Sequence, residues 1–167
     1  MKKRSVMRWT LGLIAVLSLP TLAAIPSQPK VNQFAEGERI VYTRLVEAYR
    51  INNLEGVVKQ RQILERNYPL SVHLDNAYYL NGMAELQHGR LGEALKTFDI
   101  VKDHFVKSNK RPAALFAIGA TYQRLNLPVL AHRMFQHVMT EYPGSPESQR
   151  AWMQLRVEQA TVGKVKR

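Results

Sequence analysis

The sequence has 167 residues, no cysteine, 46% hydrophobic residues, and 24 Lys and Arg against 13 Asp and Glu, for a formal net charge of +11. That length holds one domain of ordinary size, and a near-average apolar content with nine Gly and eight Pro excludes a disordered, collagen-like or low-complexity chain. The lack of cysteine excludes disulfides, thiolate metal sites, cysteine nucleophiles and lipid attachment through cysteine.

The first segment reads as an export signal over residues 1–24. Lys2, Lys3, Arg4 and Arg8 precede an apolar stretch from Trp9 to Leu19, Pro20 breaks it, and Thr21-Leu22-Ala23-Ala24 offers small residues to a peptidase. The stretch is well short of the roughly 20 residues that span a bilayer. The expectation is therefore cleavage after Ala23 or Ala24, a periplasmic destination, and no stable membrane insertion afterwards. Losing those four basic residues lowers the net charge from +11 to +7. The remaining compact basic runs, Lys107-Ser108-Asn109-Lys110-Arg111 and Lys164-Val165-Lys166-Arg167, carry no binding motif and no interleaved aromatics, so no nucleic-acid partner is expected. Residues 25–36 read as a linker, 37–160 as a helical repeat domain, and 161–167 as a basic tail.

Beyond the linker, apolar residues recur at three- and four-residue steps, the helical period. They predict helices over 37–51, 54–67, 74–88, 91–105, 111–125 and 128–141, and a seventh over roughly 146–160. Asn52 and Glu55 form a capping-box-like pair before the second helix, Gly89 permits a tight turn, and Pro128 and Pro146 suit first helical turns. The seventh helix carries Trp152 and Leu155 and is expected to cover the exposed apolar face of the third hairpin.

The pattern repeats at 37 residues, the step from Gly82 to Gly119. The same shift lays Ala94 on Ala131, Phe98 on Phe135, Val101 on Val138 and Phe105 on Tyr142. One period earlier it meets Leu45, Val57, Arg61, Leu64 and Tyr68, so the first copy keeps apolar and aromatic positions but loses the Gly and the Phe.

These residues resemble the tetratricopeptide repeat (TPR). With units counted from 38, 75 and 112, the family's small eighth position is met by Gly82 and Gly119, its twentieth by Ala94 and Ala131, and its twenty-fourth by Phe98 and Phe135. The usual Trp at the fourth position is Val41, Tyr78 and Leu115, returning only as Trp152, and the period exceeds the common 34 residues. The longer period, with NYP, DHF and EYP closing the second helices, is similar to an exported subgroup. That subgroup includes the Tol-Pal-associated periplasmic cell-division coordinator and the outer-membrane assembly TPR lipoprotein. No cysteine is present for lipoprotein processing, and the linker is too short for the coordinator's coiled coil.

The resemblance implies an all-α fold, a TPR-like solenoid of three helix hairpins plus a C-terminal capping helix. It also implies a non-enzymatic scaffold that binds a protein or peptide segment of an envelope complex, in cell division, outer-membrane assembly, secretion or motility. In the family, the concave groove is lined by positions two, five, nine, twelve and thirteen of each first helix. Position five here is Tyr42, Tyr79 and Phe116, with Val46, Met83 and Ala120 beside it at position nine. Position twelve is Tyr49, Leu86 and Gln123, and Arg50 and Arg124 at position thirteen would supply a cationic margin for an acidic residue or a terminal carboxylate. Such a groove is apolar and tolerant of partner shape. The same spacing equally describes packing between repeats, and a shift of one residue turns the aromatics inward.

Two other functions fit the same residues: a structural subunit that packs permanently into an envelope assembly or self-associates, and a binder of cell-wall polymer whose aromatics stack on sugar. His73, His88, His104, His132 and His137 include no HExxH pair, and no G-x-S-x-G elbow surrounds a serine. No catalytic residue, metal or cofactor is therefore expected.

Overall fold

The computed structural model describes residues 29–165, and the side chains of 35–157. The expected signal, its cleavage site and the first part of the linker lie outside the described residues. Within them the chain is all-helical: α1 (Pro29–Arg50), α2 (Leu54–Asn67), α3 (Leu74–Gln87), α4 (Leu91–His104), α5 (Arg111–Arg124), α6 (Pro128–Glu141) and α7 (Pro146–Val165). Helices α1/α2, α3/α4 and α5/α6 form three hairpins, and α7 packs on α6 and α5. The first helices also touch in series, α1 to α3, α3 to α5 and α5 to α7, whereas the described second helices do not. An inner row of touching helices backed by a splayed outer row curves the array, and α1, α3, α5 and α7 line its concave side.

The helices differ from the sequence expectation mainly at the ends of the array. α1 starts at Pro29 rather than 37, so residues 29–36 of the expected linker are helical; proline suits a first helical turn and no breaker follows it before Gly37. α7 runs on to Val165, into the expected tail. A smaller correction concerns the first hairpin turn. Asn53, not Asn52, is the N-cap of α2, its side chain accepting from the Gly56 N–H at 2.9 Å.

Asn52 instead takes a left-handed conformation (φ 56°), as do Gly89 (φ 74°) and Asn126 (φ 58°), each one period from the next. In every case the following N–H reaches back five residues: Asn53 to Ala48 O (2.9 Å), Arg90 to Glu85 O (2.9 Å) and Leu127 to Tyr122 O (2.9 Å). Three identical Schellman turns therefore close the three hairpins. The turns between hairpins are stapled by serine: Ser71 Oγ donates to Glu38 at 2.6 Å, and Ser108 Oγ donates to Asp75 one period later.

Inside each hairpin the core follows the period. Val57, Leu64, Ala94, Phe98, Val101, Ala131, Phe135 and Val138 are all buried. The Phe98 ring lies against the backbone of Gly82, where a Cβ would meet it at 2.6 Å, and the Phe135 ring lies on Gly119 in the same way (2.7 Å). The first hairpin solves the same space differently: Leu45 fills the position of the glycine, and Arg61 replaces the phenylalanine. The Arg61 side chain leaves the hairpin. Its guanidinium sits 4.8 Å from the centre of the Tyr78 ring, pairs with Glu65 at 2.7 Å, and donates to Asn81 Oδ1 at 3.3 Å. The degenerate repeat thus joins its neighbour through a cation. Asn81 in turn donates to Glu85 at 2.7 Å, both being buried. Burial raises the Glu85 carboxyl above its ordinary range, against the hydrogen bonds from Thr97 and Asn81 that lower it.

Gly82→Ala tests the ring-on-backbone contact. The fully buried Phe98 cannot withdraw, so the variant is expected to lose about 1–3 kcal/mol of stability in urea denaturation, despite a helix-propensity gain of about 1 kcal/mol. Glu85 carries a pH dependence of defined sign. Its folded pKa lies above its unfolded value, so folding takes up a proton and stability rises as pH falls from the raised value toward the unfolded one near 4.5. Glu85→Gln keeps an acceptor for Asn81 without the buried charge. It is expected to raise the melting temperature at pH 7 and to reduce the gain the wild type shows between pH 7 and 5; an unchanged profile would refute this.

Candidate functional site

The concave side carries the residues that the register singles out, and each is held by a specific neighbour. Tyr42 is half-buried, its ring stacked on His73 with centroids 4.1 Å apart and planes 10° from parallel, and its hydroxyl accepts from Asn76 Nδ2. Tyr79 is half-buried, its ring 6.0 Å from Phe98. Phe116 is half-buried, 5.4 Å from Phe135. Each position-five aromatic therefore leans on its own unit or the next by one part of the ring and keeps the rest exposed. The groove and packing readings are compatible, because each ring packs over one part and leaves another part exposed.

The margin is more engaged than its sequence indicates. Tyr49 is half-buried and accepts from Gln87 Nε2 at 3.2 Å, which ties α1 to α3. Arg124 donates to the Leu86 carbonyl at 2.7 Å, which ties α5 to the last turn of α3 and satisfies a C-terminal carbonyl that the helix leaves free. This arginine was expected to face a partner's carboxylate; one of its nitrogens is instead spent within the fold. Arg50 ends α1 in solvent, and Gln123 is exposed. Met83 is half-buried against the main core.

The far end of the face holds a residue that sequence reasoning missed. Arg150, on α7, places its guanidinium 4.9 Å from the centre of the Phe116 ring and pairs with Glu147. It also bears on Tyr79. Burial raises the Tyr79 hydroxyl above its ordinary pKa, reinforced by Tyr49 and Glu147 and opposed by the Arg150 charge. Four side chains from α1, α3 and α7 thus act on one another through the centre of the face. The column of position-five residues also continues onto α7 as exposed Met153, with exposed Val157 beside it. The signal was present, since Met153 stands one further 37-residue step from Phe116, but α7 reads as a cap rather than as a fourth first helix.

Among the described residues no group of three His, Asp or Glu side chains is placed to hold a metal ion, and no helix is long and apolar enough to cross a membrane.

Paired helices, a small residue facing an aromatic, and a concave row of first helices define a TPR-like helical-repeat fold. Among solved structures, the N-terminal domain of stress-induced protein-1 (STI-1) from C. elegans is similar, with a TM-score of 0.60 over 72% of this chain and 95% of that one. Sequence identity is 11%, so the likeness is one of fold. No protein-family model and no curated protein sequence matches the chain.

Tyr42→Phe separates the two duties of that residue. Removing the hydroxyl leaves the ring on His73 but strands the Asn76 amide, and the variant is expected to lose about 0.5–1.5 kcal/mol of stability by chemical denaturation. No loss would mean that the hydroxyl is free to meet a ligand.

Proposed function

We propose that this chain is a non-catalytic protein-interaction scaffold of the cell envelope, exported by its first 24 residues to the periplasm, whose concave face holds a peptide segment of an envelope-complex protein. The observation that carries this reading is the column Tyr42, Tyr79 and Phe116, extended by Met153. The three aromatics are fixed by packing yet partly exposed, and Met153 is exposed, along one continuous face of touching helices. Large contact area from side chains that are already ordered binds an extended or helical segment at low entropic cost. Arg50, and the nitrogens of Arg124 not spent on Leu86, supply hydrogen-bond donors for an acidic residue at one edge. The positively charged, apolar and small-residue pattern of residues 1–24 supports export. The resemblance to exported repeat proteins of cell division and outer-membrane assembly supports an envelope partner. The scaffold holds, and its partner acts.

Affinity capture from detergent-solubilised envelope tests the proposal, using wild type beside a helical Tyr42→Ala/Tyr79→Ala/Phe116→Ala variant. A protein retained by the wild type and lost by the variant supports it. Equal retention by both, or by neither, removes the column as the site. A paired prediction distinguishes face from core. Tyr79→Ala is expected to weaken capture with the fold retained, whereas Phe98→Ala is expected to cost about 3–5 kcal/mol of stability as a core truncation. Equal unfolding by the two changes would overturn the assignment.

A further inference from the structure

Position four of each first helix is covered progressively along the array and then laid bare. Tyr78 is 7% exposed and Leu115 is fully buried, but Trp152, at the same position of α7, is 48% exposed. The covering element in the second hairpin is visible. Tyr78 opens onto a cleft whose walls are Glu65 of α2, Leu74 of α3, and Ile100, His104 and Phe105 at the end of α4. Two periods on, Met139 of α6 replaces Glu65 and Trp152 replaces Tyr78 in a cleft of about 460 Å³ lined also by Ser148, Gln149 and Met153. Among the described residues no helix supplies its third wall. α7 is buried on its inner side through Ala151 and Leu155, so the bare side is the one a following second helix would occupy.

The occupant differs from α4 and α6 in one respect. At position eight, where Gly82 and Gly119 receive phenylalanine rings, α7 has Arg156, whose guanidinium lies 4.7 Å from the centre of the Trp152 ring. That side chain is exposed, stands where the other units have glycine, and has no carboxylate partner among the described residues.

We infer that the outer face of α7 is the seat of an amphipathic helix from a partner protein, which completes a fourth hairpin in trans. Its apolar stripe covers Trp152 and enters the Met139–Met153 cleft, and a carboxylate replaces the usual phenylalanine to meet Arg156. This surface shares Met153 with the end of the concave column, and its other residues, Met139, Trp152 and Arg156, lie outside that column.

The probe is a fluorescein-labelled peptide with the sequence of the chain's own α4 (91–104), held helical by a staple on its solvent side, in two forms: the parent, and Phe98→Glu. Anisotropy with the full chain is expected to show the Phe98→Glu peptide binding at least about fivefold tighter than the parent, a difference of one good contact. Arg156→Glu in the chain is expected to reverse that order. Trp152→Ser is expected to weaken both peptides at least about tenfold, and Tyr79→Ala to leave both unchanged. Arg156 and Trp152 lie at exposed positions, and circular dichroism checks that the helices persist in all three variants. The inference is overturned if neither peptide binds at millimolar concentration, if Arg156→Glu leaves the order unaltered, or if sedimentation equilibrium shows a dimer that Trp152→Ser dissolves.

Discussion

A phenylalanine ring pressed flat against the backbone of a glycine sets the geometry of this molecule. Phe98 on Gly82 and Phe135 on Gly119 bring the two helices of a hairpin closer than any side chain at position eight would permit. The same rings are touched from the concave side by Tyr79 and Phe116. Each buried ring therefore has two duties: it fixes the approach of its own hairpin, and it is the floor on which an aromatic of the open face rests. The exposed column is accordingly rigid, and a segment laid on it meets side chains whose freedom was surrendered in folding.

Where that contact is missing, arginine stands in. In the first hairpin Leu45 occupies the notch, and Arg61 turns outward to Tyr78 and Asn81 of α3 while pairing with Glu65 on its own helix. At the other end Arg156 stands where the other units have glycine and lies over Trp152. The second and third hairpins are closed by a ring on a glycine backbone, whereas at each end of the array a guanidinium lies over the ring at position four. Terminal units need surfaces compatible with water, and this substitution supplies them without removing the aromatic positions that keep the register.

Most of the architecture was legible because two periods coincide in the sequence. The three- and four-residue steps give helices, and the 37-residue step aligns Gly, Ala, Phe and Val well enough to pair them. What was hidden depends on local competition or on long reach. Asn52 and Asn53 are adjacent and either type caps a helix, so only the backbone distinguishes the left-handed residue from the cap. Asn126 makes the same turn as Gly89 but does not advertise it, since asparagine adopts many conformations. The stack of Tyr42 on His73 and the bond from Arg124 to Leu86 join residues on different hairpins, and nothing in composition distinguishes them from free side chains. Arg150 escaped for another reason: α7, read as a lid, is also the fourth member of the inner row.

The serine staples give the array a grain. Ser71 closes on Glu38 and Ser108 on Asp75, so each bond begins and ends inside one unit, as do the Gly82–Phe98 contact and the turn at Gly89. A unit is thus a self-contained block that presents similar surfaces fore and aft. Such a chain can lengthen or shorten during evolution by whole blocks, because a duplicated 75–111 would carry its staple, notch and turn with it. An insertion of a single residue within a helix would instead rotate everything beyond it by about 100° around the helix axis, carrying glycine away from ring and serine away from carboxylate. The length of this molecule is therefore quantised.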